Sequence, residues 1–125
     1  MVGRPKKTAA GLGPLESEVM QVGWSAGGPV SVRNVLDALN DRRAKPLAYT
    51  TVMTVMNRLV AKHFLARRGE PRKYSYAPTA DGPAAAATRD VIRTYGDAAI
   101  AQFVSEARAD PRLLRRLHAL LEDDA

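Results

Sequence analysis

Three segments between prolines carry apolar residues at helical spacing, the first at i, i+4 and i+7 and the other two at i, i+3, i+4 and i+7, which is typical of amphipathic helices. They are residues 15–24, a second segment that Ser31 can cap, and residues 49–63. Their apolar positions are Leu15, Val19 and Val22, then Val32, Val35, Leu36 and Leu39, then Val52, Val55, Met56 and Leu59. The pattern predicts a trihelical unit.

The polar and apolar pattern changes to that of a β-hairpin directly after the third segment. Residues 64–68 and 73–77 read as two short strands separated by a Gly- and Pro-containing turn, with Tyr74 and Tyr76 on one strand face. Three helices followed by a hairpin are the order of a winged helix-turn-helix, whose third helix can enter a DNA major groove. We expect the hairpin to be the wing.

The remaining chain predicts two helices with long apolar stripes. The first follows Pro83 and contains Gly96, and the second begins at Asp110 and Pro111, which form a helix start signal. Two such helices cannot bury their stripes against each other alone, so we expect a second copy of the chain to cover them. The alternative is that the helices fold back on the winged helix in a monomer. The predicted dimerisation residues are Val91, Ile92, Tyr95, Ala99, Phe103, Leu113, Leu114, Leu117, Leu120 and Leu121.

The predicted fold is therefore mainly α with a small β-wing, a winged helix-turn-helix domain followed by a two-helix dimerisation domain. Residues 1–11 are expected to be a flexible basic tail, residues 12–78 the DNA-binding domain and residues 79–125 the dimerisation domain. Within the tail, Gly3 to Lys7 resembles an AT-hook core, and a solubilising tail is the other interpretation.

Charge supports the division of the 125 residues into two parts. The whole chain has a formal charge of +6, and residues 1–78 carry thirteen basic and five acidic side chains. Residues 79–125 carry six basic and eight acidic side chains. The basic excess thus belongs to the predicted winged helix, which favours a phosphate-rich partner such as DNA.

Several functional classes have no support in the sequence. There is no cysteine, and His63 and His118 have no partner at a metal-ligand spacing. Nucleophile-elbow, phosphate-loop, dinucleotide-binding and zinc-protease motifs are missing. We expect no enzyme, metal, cofactor or small-molecule ligand. Without a signal peptide or long apolar run, we expect a cytoplasmic protein with no membrane insertion.

The candidate DNA-binding residues are mostly short polar side chains on the third helix, together with Met53 and Arg58 of that helix, and basic side chains around it. The former suit base edges, and the latter suit phosphates. On the helix they are Thr50, Thr51, Met53, Thr54, Asn57 and Arg58. Around it they are Arg33, Arg42, Arg43, Lys45, Arg67, Arg68, Arg72 and Lys73.

Four motifs together resemble the penicillinase-repressor family of the BlaI/MecI type over residues 12–122. They are Leu15 to Met20 with Trp24, Val32 to Leu36, the Tyr49 to Leu59 helix, and Tyr74-Ser75-Tyr76. Fourteen arginines against five lysines, with twenty-one alanines, point to a high-GC bacterium.

The resemblance implies a homodimeric repressor of β-lactamase and related antibiotic-resistance genes that binds palindromic operator DNA. It also implies a membrane sensor-protease that relieves repression by cutting the dimerisation domain at an Asn-Phe bond, where this chain has Gln102-Phe103. Family members often have Lys or Gln where this chain has Met53, so at that position the resemblance implies an apolar base contact or none. Two alternatives remain from the residues alone, a winged-helix protein-interaction module and a nucleoid protein without sequence specificity.

Overall fold

The computed structural model describes residues 11–123, which form six helices and one two-stranded antiparallel sheet. One compact unit ends at Ala87, and a second begins at Thr88. The elements are α1 (Pro14–Ser25), α2 (Val32–Asn40), α3 (Tyr49–Ala61), β1 (Leu65–Arg68), β2 (Ser75–Pro78), α4 (Pro83–Tyr95), α5 (Asp97–Ala109) and α6 (Pro111–Asp123). The motif from Gly3 to Lys7 lies outside the described residues.

Local capping explains where α2 and α6 begin. The Ser31 hydroxyl accepts a hydrogen bond from the backbone N–H of Asn34 at 3.0 Å, and the Asn34 side chain accepts one from the Ser31 N–H at 3.0 Å. At α6, Asp110 Oδ1 accepts bonds from the N–H groups of Arg112 and Leu113. Both predicted helix starts are confirmed.

The core of the first unit is built from the predicted faces of α2 and α3. Their eight predicted apolar residues are all buried. In α1, Val19 is buried and the predicted Leu15 and Val22 are half-buried and pack against the same core, which also contains Met20, a residue that was not predicted. The buried face of α1 also includes Gly23, which lies close enough to Pro78 that an added Cβ would be 3.3 Å from the proline ring.

The wing is a short hairpin with a defined register. Leu65 pairs with Pro78 and Arg67 pairs with Tyr76, which puts Arg67 on the same sheet face as Tyr76. At the turn, Gly69 has a φ of 97°, and a Cβ there would approach the Lys73 carbonyl to 2.7 Å. Only glycine fits this position.

The segment after the wing, as far as Ala87, belongs to the first unit. Trp24 Nε1 donates a hydrogen bond to the Ala80 carbonyl at 3.0 Å. Ala80 and Ala86 are buried in the same core as α1, α2 and α3. The first turn of α4 is therefore anchored on the winged helix.

The second unit contains a helix break that the sequence pattern did not predict. Gly96, expected inside one continuous helix, has φ 58° and ψ −132° and separates α4 from α5. Three helices therefore follow the wing, where two were predicted. The apolar period continues across the break, which is why periodicity alone missed it.

Helices α5 and α6 of the second unit pack on each other, and Ala107 between them is buried. Within the described part of the chain, no helix combines the length and the apolar character that crossing a membrane requires.

Candidate nucleic-acid interface

Helix α3 has one buried face and one face open to solvent. Thr50, Thr51, Thr54 and Arg58 are exposed on the side opposite the buried core residues. Met53 is half-buried and packs partly against the core. The open face carries small hydrogen-bonding groups and one charge, as a helix that approaches base edges requires.

The basic residues before α3 differ in their surroundings. Arg42 and Lys45 are exposed. Arg43 Nη2 lies 2.7 Å from Glu18 Oε2, so an internal carboxylate already pairs with this guanidinium. The Arg33 guanidinium lies 5.6 Å from the centre of the Tyr49 ring and 3.9 Å from Asp37.

The loop between α2 and α3, which carries Arg42, Arg43 and Lys45, is held by a side chain that the sequence analysis did not single out. Asn40 Nδ2 donates to the Leu47 carbonyl at 3.1 Å, and the Leu47 N–H donates to Asn40 Oδ1 at 2.7 Å. This two-bond clamp fixes the approach of the chain to α3. The position of Asn40 at the end of α2 could have indicated this clamp, since asparagine side chains often form hydrogen bonds with nearby backbone groups.

On the wing, all four predicted basic residues are exposed, and they are Arg67, Arg68, Arg72 and Lys73. Arg67 has two neighbours of its own, because its guanidinium lies 4.3 Å from the centre of the Tyr74 ring and donates to Asn57 Oδ1 at 3.2 Å. Arg72 has a φ of 72° in the turn.

Asn57 joins α3 to the wing. Its Oδ1 also accepts a hydrogen bond from the Tyr76 hydroxyl at 3.1 Å. Burial raises the pKa of Tyr76, against the opposing effect of the Arg67 guanidinium, so the hydroxyl keeps its proton. Sequence reasoning placed Asn57 among base-contacting residues and did not predict this contact.

An ion pair between the half-buried Lys62 and the buried Glu16 supports the other end of α3. Lys62 Nζ lies 3.0 Å and 2.9 Å from the two carboxylate oxygens of Glu16, whose side chain is 8% exposed. Burial raises the pKa of Glu16, but the Gly13 N–H bond and Lys62 outweigh it, and the net pKa is lowered. The carboxylate is therefore ionised at neutral pH.

The predicted dimerisation residues of α4 to α6 are largely open to solvent. Six of them are exposed to 41% or more, and they are Val91, Ile92, Tyr95, Phe103, Leu120 and Leu121. Ile100 and Val104, which were not predicted, are also exposed. Val91, Tyr95, Ala99 and Phe103 line an apolar groove of about 390 Å³.

The predicted cleavage pair lies within α5. Gln102 and Phe103 are both exposed, and Gln102 Nε2 donates to Glu106 Oε1 at 2.9 Å. Among residues 11–123, no group of acidic or histidine side chains is arranged to hold a metal ion.

Comparison with known proteins gives a consistent result. The family model described as penicillinase repressor matches residues 12–123. Two proteins named transcriptional regulator BlaI, from Mycobacterium tuberculosis strains CDC 1551 / Oshkosh and ATCC 25618 / H37Rv, are 40% identical over 119 residues. The alignment covers 89% of this chain and 85% of each relative.

Similar folds occur among solved structures. A complex structure of hsRosR-S1 covers 93% of this chain and 94% of that chain with a TM-score of 0.54. At 17% identity, this likeness concerns the fold alone. The solution structure of monomeric Bacillus licheniformis BlaI in complex with the blaP half-operator is 27% identical, covers 65% of this chain and 89% of that chain, and has a TM-score of 0.44.

Proposed function

This chain belongs to the penicillinase repressor family and is a BlaI-like transcriptional regulator, and from this premise we propose that it acts as a homodimer on palindromic operator DNA. The role of its relatives is regulatory, and the prediction that the chain is not an enzyme is confirmed by them. The genes that we propose it represses are those for β-lactamase and related resistance functions.

The open face of α3 is the observation that carries the DNA-binding part of this proposal. Thr50, Thr54 and Arg58 are exposed on one side of a helix whose other side is anchored in the core. Thr hydroxyl and methyl groups suit base edges, and Arg58 suits guanine or phosphate. Exposed Arg42, Lys45, Arg68, Arg72 and Lys73 supply the surrounding positive charge for phosphates.

The second unit supports the homodimer. Helix α5 exposes Ile100, Phe103 and Val104, while Ala107 of the same helix is buried and the helix packs on α6. A helix with apolar residues on several sides is typical of the interior of a larger bundle. We propose that the same surface of a second chain covers it, since closed two-fold dimers are the commonest assembly.

Footprinting with the purified full chain on the DNA that flanks its own gene tests the regulatory proposal. We expect one protected palindrome with two equal halves. Diffuse protection along the fragment would instead identify a nucleoid protein, and no protection would favour a protein-interaction module. Either result contradicts the proposal.

We also propose that a membrane sensor-protease cuts the chain between Gln102 and Phe103 and that this cleavage relieves repression. The bond lies in α5, so its cleavage divides the apolar surface that we assign to the dimer. Mass spectrometry of the chain recovered from cells treated with a β-lactam should find a fragment that ends at Gln102. An intact chain under derepressing conditions would contradict this step.

A further inference from the structure

The contact between α3 and the wing involves four side chains that the hairpin register brings together. Arg67 of β1 lies directly opposite Tyr76 of β2, and Tyr74 is two residues from Tyr76 on the same face. Arg67 stacks on Tyr74 and donates to Asn57, which also accepts from Tyr76. Asn57 is thus the one α3 residue of this group, and its other three members belong to the hairpin.

The chemistry of the donors identifies the atom at the centre of this contact. A guanidinium can only donate hydrogen bonds, so the Asn57 atom 3.2 Å from Arg67 is the amide oxygen. The same oxygen is 3.1 Å from the Tyr76 hydroxyl, which burial keeps protonated. The two lone pairs of the oxygen are occupied, and the Asn57 side chain is oriented by the wing rather than by solvent.

We propose that Asn57 is a positioning residue, which sets the wing against the recognition helix, and that Tyr76 and Arg67 affect operator discrimination only through it. This inference rests on the proposed function. In this proposal Arg67 connects Asn57 to Tyr74 and stabilises the contact between α3 and the wing, whereas its charge alone predicted a phosphate contact.

The dimensions of the hairpin explain why it needs this contact. Each strand has four residues, and the base of the hairpin is held by buried Leu65 and Tyr76 and by two 2.8 Å backbone hydrogen bonds between Tyr76 and Val30. The part nearer the turn, residues 67–75, contains no buried residue, and a short hairpin segment without core packing is marginal. A wing that moves freely loses more conformational entropy when it settles on DNA. The two hydrogen bonds that the hairpin donates to Asn57 of α3 reduce that cost before DNA binds.

The first test uses Tyr76→Phe, which removes one hydroxyl from a side chain that is 1% exposed and so cannot touch DNA. The measured quantity is the ratio of affinities for the footprinted fragment and for a scrambled duplex of equal length. We expect this ratio to fall about fivefold or more, because an Asn57 side chain released from Tyr76 no longer holds α3 and the wing in the orientation that base contacts need, and a lost base contact has about this effect. Tyr74→Phe is the matched control, since it removes a hydroxyl two residues away and keeps the ring under Arg67, and its ratio should stay at the wild-type value.

A double-mutant cycle separates positioning from a general loss of stability. In an Asn57→Ala background, Tyr76→Phe should no longer change the ratio, because the hydroxyl acts only through Asn57. Arg67→Gln should likewise lower the ratio in the wild-type background and leave it unchanged in the Asn57→Ala background. Because Arg67 is exposed, this second variant should fold even if Tyr76→Phe unfolds the chain.

Each remaining outcome overturns a specific statement. If Tyr76→Phe and Arg67→Gln keep the wild-type ratio, Asn57 acts independently of the wing and the positioning role is wrong. If their effects persist without Asn57, they act by another route and the inference also fails. A wild-type chain that does not distinguish the fragment from the scrambled duplex refutes the proposed function itself.

Discussion

Glu16 is the one charged side chain that is buried among the described residues, and its charge is matched by Lys62. The two residues are 46 positions apart in sequence, in α1 and at the end of α3. Sequence reasoning predicted both helices and missed this pair, because nothing in a local pattern tells which distant side chains will meet. The same limitation hid the contact of Asn57 with Tyr76.

We predict that Glu16→Gln lowers the free energy of unfolding by about 1.5 to 3 kcal/mol at pH 7, the usual value of a hydrogen bond to a charged group. The lowered pKa of Glu16 means that its stabilisation is present above the pKa of an unfolded glutamate, near 4.3. It is lost as the pH falls through the lower folded-state pKa. Urea unfolding of both chains should therefore show curves that converge in acid.

Glu18→Gln is the control for this experiment. Glu18 pairs with Arg43, but its side chain is 49% exposed, and an exposed ion pair contributes about 0 to 1 kcal/mol. If Glu16→Gln cost no more than Glu18→Gln at pH 7, the buried pair would have no special role in stability.

Two exposed residues should show opposite binding signatures. Thr54→Ala should remove base discrimination of about 1 to 3 kcal/mol while retaining the salt dependence of binding. Arg72→Ala should weaken operator and scrambled DNA alike and reduce the slope of log K against log salt by about 1. Arg72→Lys, which keeps the charge, should retain the slope. A change of specificity alone in Arg72→Ala would remove Arg72 from the phosphate contacts.

At the scale of elements, the sequence predicted most helices and strands correctly where the apolar periodicity and the residues that start or end an element indicate the same boundary. Ser31, Asp110 and Pro111 mark helix starts, and the apolar faces of α2 and α3 are buried as predicted. Gly96 is the exception, since Ile92, Tyr95, Ala99 and Phe103 keep the helical period across it. A glycine inside a helical pattern is ambiguous, and only its backbone angles decide.

We predict that Gly96→Ala lowers the free energy of unfolding by about 1 to 3 kcal/mol, the cost of holding a residue with a side chain in a sparsely populated backbone region. Gly96 has φ 58° and ψ −132°, and an added Cβ would meet no atom within 4 Å. The expected loss is therefore conformational and not steric. Thermal unfolding followed by circular dichroism measures it.

Gly28→Ala is the matched control, because its Cβ would also meet no atom within 4 Å and its φ is outside the left-handed region. This variant should be neutral or slightly stabilised through the unfolded chain. A Gly96→Ala chain with the wild-type free energy of unfolding and a higher helix content would contradict this prediction. In that case α4 and α5 would have joined into one helix at no cost in stability.

At the scale of the whole molecule, charge and apolar surface separate along the chain. The basic excess lies in residues 1–78, and the exposed large apolar side chains are concentrated in residues 91–121. The sequence predicted this separation, because charge and apolar period can both be counted. The surface that we propose for a second copy cannot be identified by counting residues, since such an interface depends on side chains that meet only in the assembly.

Phe103→Asp tests that surface directly, because Phe103 lies in the apolar groove of the second unit and is half exposed. A carboxylate there would have to be buried without a partner in the dimer, so we expect the full chain to become monomeric in light scattering. Binding to the palindrome should then fall by about 100-fold or more, because two linked half-sites no longer act together. Binding to a single half-site should stay unchanged. Ser105→Asp adds the same charge at an exposed position of α5 and should leave the dimer intact; a dimeric Phe103→Asp chain would place the interface elsewhere.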